Sequence, residues 1–340
     1  MSFRSGRARW VPAGATALVL AGGLLAGTAV AGGAPSHGGD TGSSDAEQAA
    51  APASVKVMTW NVCANSAPRK DDKGQALCAN GQTDRVAGGI RWHMQQHEGL
   101  HAVLLQEICY ADVEKLRTLD GMGGWSFGFS GIHDRGSGSS KGEIRKRQCA
   151  KGRGGFGVAV GVKSGDVKFD RFHYATRNVP NARDTWGHWN VKQAGVCADA
   201  LGTRFCGTHF TPFKGGHGSW DDKKASEFLT SQYGQAEELA AKGKGHSRVV
   251  LGGDLNASPK QDSTVTAPLL DPLYGGYKEC SQDAAGGDRT GKGTFQNQSG
   301  KRGSKLDYVF GNSSAKASCS VTDQHVTLSD HVPVTATVTF

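Results

Sequence analysis

The stretch VVLGGDLNASP, Val249 to Pro259, decides how the fold is read. Val249, Val250 and Leu251 make a short apolar run of the kind that becomes a buried strand. The run ends in Gly252-Gly253 and then sets Asp254 and Asn256 two residues apart, although both types are averse to strands. Alternation would aim the two polar side chains the same way, and the glycines would let the backbone end close to a substrate. The stretch therefore predicts a buried strand that delivers a polar pair into a cleft.

The same pattern recurs along the chain. VKVMTWNV carries Asn61 at its end, HAVLLQE ends in Glu107, RFCGTHF carries His209, KLDYVFG carries Asp307, and SDHVPV opens a strand with Asp330-His331. GFGVAVGV and VKQAGVCAD add two more strands. Between them TDRVAGGIRWHMQQHE, YADVEKLRTL and DDKKASEFLTSQYGQAEELAAKG repeat apolar residues at three and four, the spacing of amphipathic helices lying on a sheet. The class is α+β. Strands written as continuous apolar runs need cover on both faces, which two sheets packed face to face with helices outside would provide.

The amino terminus stands apart from this domain. Arg4, Arg7 and Arg9 lead into ALVLAGGLLAGTAVA, which closes on Ala29-Val30-Ala31; residues 1–31 read as a secretory signal peptide. The apolar stretch is shorter than the roughly 20 residues that span a bilayer, so no transmembrane anchor is expected. Residues 32–54, rich in Gly, Ser and Ala, read as a flexible linker, and residues 55–340 as one large domain. Removing the signal peptide deletes three arginines and no acid, so the formal charge of +8 becomes +5. Such a balance serves solubility or an anionic partner.

All eight cysteines lie in the domain, an even count that favours disulfides behind a signal peptide. Cys197 and Cys206 stand equidistant from a turn near Leu201-Gly202, so a hairpin would face them across the ladder. Order in the chain pairs Cys63 with Cys78, Cys109 with Cys149 and Cys280 with Cys319. The segment Gly136 to Gly155 reads as a long basic loop, carrying Lys141, Arg145, Lys146, Arg147, Lys151 and Arg153 against Glu143 alone. It is either a solvated loop or a set of phosphate contacts, for which Arg145, Lys146, Arg147 and Arg153 are the candidates. The segment around Ser219 lacks the G-x-S-x-G elbow of a serine hydrolase, and GRGGFGVAVG lacks the lysine and serine of a phosphate loop.

Singly, each polar strand end has an ordinary explanation as an Asx turn, a cap or a solvated terminus. Together and in order, TWNV, LLQE, THF, GGDLNASP, SKLDYVF and SDHVPV resemble the endonuclease/exonuclease/phosphatase superfamily from about Val55 to Phe340. That resemblance implies a four-layered α/β-sandwich, deoxyribonuclease I-like, with the site formed by loops at one end of two mixed sheets. It implies a divalent metal, Mg²⁺ or else Mn²⁺ or Ca²⁺, held by Glu107 and Asp330 with Asn61 nearby. It also implies that Asp254 handles the attacking water, Asn256 steadies the phosphate, His331 is held by Asp307 against the phosphate, and His209 serves the phosphate or leaving group. A secreted nuclease acting on DNA or RNA is the first expectation, with the chain acting as a monomer. A sphingomyelinase-like or phosphomonoesterase activity on phospholipid headgroups or phosphate esters is the second; Gly121 to Gly131 would be its membrane-facing hairpin. A non-catalytic binding module is the third.

Overall fold

A computed structural model describes residues 51–66, 69–70, 76–78, 81–135, 142–176, 191–212, 222–257, 259, 269–282, 287–296, 301–322, 326 and 328–340. The expected signal peptide, nearly all of the expected linker, Lys141 and the segment around Ser219 lie outside the described residues.

Every strand expected from the apolar runs forms. The strands are β1 (Ser54–Asn61), β2 (Arg69–Lys70), β3 (Ala76–Leu77), β4 (Leu100–Cys109), β5 (Ser126–Gly131), β6 (His133–Asp134), β7 (Arg145–Lys146) and β8 (Phe156–Val162). They continue with β9 (Lys168–His173), β10 (Ala194–Ala200), β11 (Thr203–His209), β12 (Val249–Asp254), β13 (Tyr277–Glu279), β14 (Asp307–Asn312), β15 (Lys316–Val321) and β16 (Val334–Thr339). The helices are α1 (Thr83–Gln95), α2 (Tyr110–Arg117), α3 (Asp222–Lys242) and the short α4 (Asp271–Tyr274). Two six-stranded sheets result, in the orders β15-β16-β1-β4-β8-β5 and β13-β14-β12-β11-β10-β9.

Each sheet is built round one parallel pair, β1 with β4 and β11 with β12, and its other neighbours are antiparallel. A parallel pair needs a crossover, and the periodic helices supply it: α1 links β1 to β4, and α3 links β11 to β12. Period two then sorts side chains between layers. Val250, Phe205 and Val309 enter the core shared with β1, β4 and β8, whereas Val249, Leu251, Tyr308 and Phe310 face the opposite way, into a second core with Leu239 of α3. Val86, Ile90 and Met94 of α1 cover the first sheet. Truncating a residue such as Leu251 to Ala would cost about 2–5 kcal/mol.

The fold revises two expectations. Gly252 and Gly253 answer to neighbouring strands rather than to a substrate: a Cβ on Gly252 would lie 2.5 Å from the Tyr308 carbonyl oxygen, and one on Gly253 1.9 Å from that of Thr208. Gly253 also has φ +140°, closed to other residues. The basic segment is not wholly loop, because Arg145–Lys146 pairs with His133–Asp134 as a two-stranded ribbon. Gly121 to Gly131, the stretch suited to a membrane hairpin, leads into β5, paired along its length with β8. Among the described residues no helix is long and apolar enough to cross a membrane.

All four disulfides have the expected pairings, and no cysteine is free. Cys197 lies directly opposite Cys206, and the two-residue turn between the strands has positive φ at Leu201 and Gly202, as a type I′ hairpin requires.

Candidate active site

The two crossovers aim their products at one place. Asn61 and Glu107 lie at or near the carboxyl ends of β1 and β4, while His209 and Asp254 end β11 and β12, and Asn61 Nδ2 donates to Asp254 Oδ2 at 2.9 Å across the sheets. Asp307, at the start of antiparallel β14, stands directly opposite Asp254. Asp330 and His331 precede β16, whose Val334 pairs with Thr59 of β1, which brings them to the same end. Asn61, Glu107, His209, Asp254, Asp307, Asp330 and His331 are all buried.

Asp254 is the hub. Its Oδ2 lies 3.4 Å from His209 Nε2 and 3.7 Å from His331 Nε2, and its Oδ1 accepts the Asn256 backbone N–H at 2.9 Å. Burial alone would raise this carboxyl, but His331, His209 and Asn61 outweigh it and hold the pKa down at about 2. His331 Nδ1 donates to Asp307 Oδ2 at 2.8 Å. Burial opposes charge on this imidazole, yet Asp307 and Asp254 raise its pKa well above the usual value, which favours imidazolium. His209 is likewise raised against burial, by Asp254 and Glu107.

Glu107 differs. It sits where the β4–β8 register slips, with φ +53°, and Ala64 N–H donates to its carbonyl at 2.9 Å. Burial above all pushes its carboxyl up; His209 opposes this and the Asp330 charge reinforces it. Glu107, with His209 Nε2 4.0 Å away, and Asp330, whose charge it feels, offer carboxylate oxygens of the kind a hard divalent cation takes, and such an ion would reverse the shift. The residues present fit such an ion. Asn61 is more committed than its expected role as a ligand requires, because its Oδ1 already accepts Cys63 N–H at 3.1 Å. Its second lone pair remains available.

Several residues within the recognised motifs position the others. Trp60 Nε1 donates to the His331 carbonyl at 3.0 Å, and Ser329 Oγ donates to the Asn61 carbonyl at 2.6 Å while accepting His331 N–H at 3.0 Å. Thr294, which no sequence signal singled out, accepts the N–H groups of Leu306 and Asp307 through its hydroxyl. Asn256, at φ +49°, turns out of the strand, and its Nδ2 donates to the Phe210 carbonyl at 3.1 Å. Asp254 therefore reaches the cluster from the end of β12 itself, whereas Asn256 departs from the strand alternation expected of it.

The four candidate phosphate contacts divide. Arg145 and Lys146 are exposed, whereas Arg147 and Arg153 are buried. Arg147 pairs with Asp134, and Arg153 pairs with both oxygens of Asp112 and donates to the Ala64 carbonyl. This corrects the expectation for those two: burial commits them to internal carboxylates, and breaking such a pair costs about 3–5 kcal/mol. Arg153 clamps the chain after Asn61 to the helix after Glu107.

Acids and imidazoles gathered where the parallel strands of two packed sheets end define a phosphoester hydrolase. The chain belongs to the Endonuclease/Exonuclease/phosphatase family, whose profile matches residues 58–331 and whose members typically depend on divalent metal. Similar solved structures include a humanized D. rerio TDP2 carrying 14 mutations, with TM-score 0.53 and 14% identity over 85% of this chain and 100% of that one. The endonuclease/exonuclease/phosphatase from Beutenbergia cavernae has TM-score 0.55 and 15% identity over 84% and 72%. D. rerio TDP2 complexed with single strand DNA product has TM-score 0.51 and 15% identity over 85% and 100%. At these identities the likeness is one of fold. Curated proteins include no match to the sequence.

Proposed function

We propose that the protein is a secreted, divalent-metal-dependent phosphodiesterase that cleaves nucleic acid by attack of water. The observation that carries this reading is Asp254, buried and held ionised by Asn61 and two raised imidazoles, beside the acidic Glu107–Asp330 pair. Glu107 and Asp330 would hold the ion, Mg²⁺ in the first instance. When bound, it supplies relief of charge on the phosphate.

The protein groups divide the remaining work. A carboxylate with its pKa near 2 is a poor proton acceptor at neutral pH, so Asp254 orients the water more than it deprotonates it. His331, fixed by Asp307, and His209 present cationic N–H groups to the developing phosphate charge. Asn256 steadies the phosphate at the turn after Asp254. The positive charge of the expected mature chain and the DNA product bound by the D. rerio relative support a nucleic acid substrate. The signal-peptide pattern and four disulfides support secretion.

The test is a panel assay of the purified mature protein with Mg²⁺, Mn²⁺ or Ca²⁺ on plasmid DNA, RNA, sphingomyelin and simple phosphate esters. Cleavage of a nucleic acid is expected. Turnover of sphingomyelin with no cleavage of either nucleic acid would replace this reading with the lipid one.

A further inference from the structure

The rim beside the catalytic cluster carries a second arrangement that the hydrolytic centre does not use. His173 ends β9 opposite Ala194 of β10, and the adjoining Gly195 lies opposite Thr208, the residue before His209. Gly131 ends β5 opposite Gly157, which lies opposite Ile108, the residue after Glu107. The ends of β5 and β9 thus sit at the catalytic end of both sheets, two strands away, or about 10 Å at the usual strand spacing.

Three basic residues form a row there. His133 pairs with Lys146 on one side and bridges Lys192 on the other, with backbone bonds of 3.1 and 2.6 Å to Lys192. The His133 ring stacks on that of His173, centroids 4.3 Å apart, and His173 Nε2 donates to the Gly131 carbonyl at 2.8 Å. Among the described residues neither Lys146 nor Lys192 pairs with a carboxylate, and the two flank His133 from opposite sides. Burial first, then His173 and the two lysines, lower the His133 pKa, with Asp134 opposing them.

An exposed aromatic residue adjoins the row. Tyr110, three residues after Glu107, is 45% exposed, and its ring meets Phe129 of β5 edge-on at 5.5 Å. Phe129 and the Lys146 stem both lie over Gly155, which makes Tyr110, Phe129 and Lys146 one continuous surface. An exposed ring beside lysines suits unstacked bases, since base–aromatic stacking tolerates any sequence and duplex bases are already stacked.

We propose that Tyr110, Lys146 and Lys192, with the stacked His133–His173 pair between the lysines, form a track for the bases and phosphates of a single-stranded polynucleotide leading out of the catalytic cluster. The track rests on the nuclease reading above and narrows its substrate to single strands.

The test compares the secreted protein with a Lys146→Gln/Lys192→Gln double variant, Tyr110→Ala and Tyr110→Phe. Substrates are a single-stranded oligonucleotide of about 20 nucleotides, long enough for a channel of this kind, its duplex, and bis(p-nitrophenyl) phosphate. Losing two phosphate contacts should flatten the slope of log(1/KM) against log salt by about 1.4 for the single strand. Selectivity for the oligonucleotide over the small ester should fall with it. Tyr110→Ala should raise KM for the single strand roughly 5- to 100-fold, and Tyr110→Phe should restore it. Melting curves on the same samples identify loss by unfolding, which would lower turnover of the small ester equally. An unchanged salt slope, or equal effects on single strand and duplex, overturns the track. Wild-type protein that cleaves sphingomyelin but neither form of the oligonucleotide overturns the nuclease reading instead, and the track with it.

Discussion

The two crossover units of this molecule share a geometry and differ in chemistry. In β1–α1–β4 the strand ends present Asn61 and Glu107, and burial with the Asp330 charge drives the Glu107 carboxyl up. In β11–α3–β12 they present His209 and Asp254, and two imidazoles with Asn61 drive the Asp254 carboxyl down to about 2. One acid is completed by the protein's own cations. The other has His209 4.0 Å away and is the acid proposed to bind the metal. The same backbone arrangement, used twice, thus divides the proposed reaction between metal binding at the end of β4 and orientation of the water at the end of β12, with His331 reaching Asp254 and Asp307 from just before β16 of the first sheet.

Removing the ion should break the arrangement most completely. Exhaustive chelation is expected to take phosphodiesterase turnover to background and metal return to restore it; full activity in chelator would refute the role given to Glu107 and Asp330. Next in size is Asp254→Asn, which keeps the shape but loses the charge. Turnover should fall at least about 100-fold with KM changed far less. A folded variant with near-normal turnover would remove Asp254 from the mechanism.

A subtler test asks whether His331 and Asp307, which meet across the two sheets, work as one. His331→Ala should lose activity comparably, and adding Asp307→Ala should cost less than about fivefold more, because effects within one catalytic unit are not additive. Turnover should persist while His331 is protonated and decline as pH rises through its elevated pKa; Asp307→Asn should move that alkaline limb to lower pH. An alkaline limb that Asp307→Asn does not move would separate the two residues.

The smallest effect is on stability. Because the folded-state pKa of Glu107 exceeds its ordinary value of 4.5, ionisation costs stability as pH rises above that value, and nothing below it. Metal-free Glu107→Gln should therefore melt higher than metal-free wild type at pH 8, with the difference vanishing near pH 4. A variant that melts lower at both pH values would make Glu107 a structural residue.

The strand ends were legible because the signal is local: an apolar run broken by a polar residue occupies six to eight neighbours, as in VMTWNV or VVLGGDLN. The Cys197–Cys206 bridge was legible for the same reason. Edge strands were not, since KFDRFH and KASCSV expose much of their length and alternate weakly. The burial of Arg147 and Arg153 depends on Asp134 and Asp112, which lie 13 and 41 residues away and carry no signal of the pairing. Gly252 and Gly253 pointed to the right place for the wrong reason, because the carbonyls that exclude a side chain there belong to β11 and β14. Tyr110 could be placed at the start of a helix, but its exposure follows from how β5 and β8 pack beneath it.

Glu107 holds its carboxylate over the site from a left-handed backbone, a conformation that costs a non-glycine residue about 1–3 kcal/mol. Packing alone gives no reason to keep glutamate there, since glycine would adopt the same dihedral without strain. On the proposed mechanism, the position therefore records whether chemistry is still asked of it. In a descendant that had become a pure binding protein, the sandwich could persist unchanged while this one residue drifted to glycine, and its identity would separate working enzymes from retired ones before any assay was run.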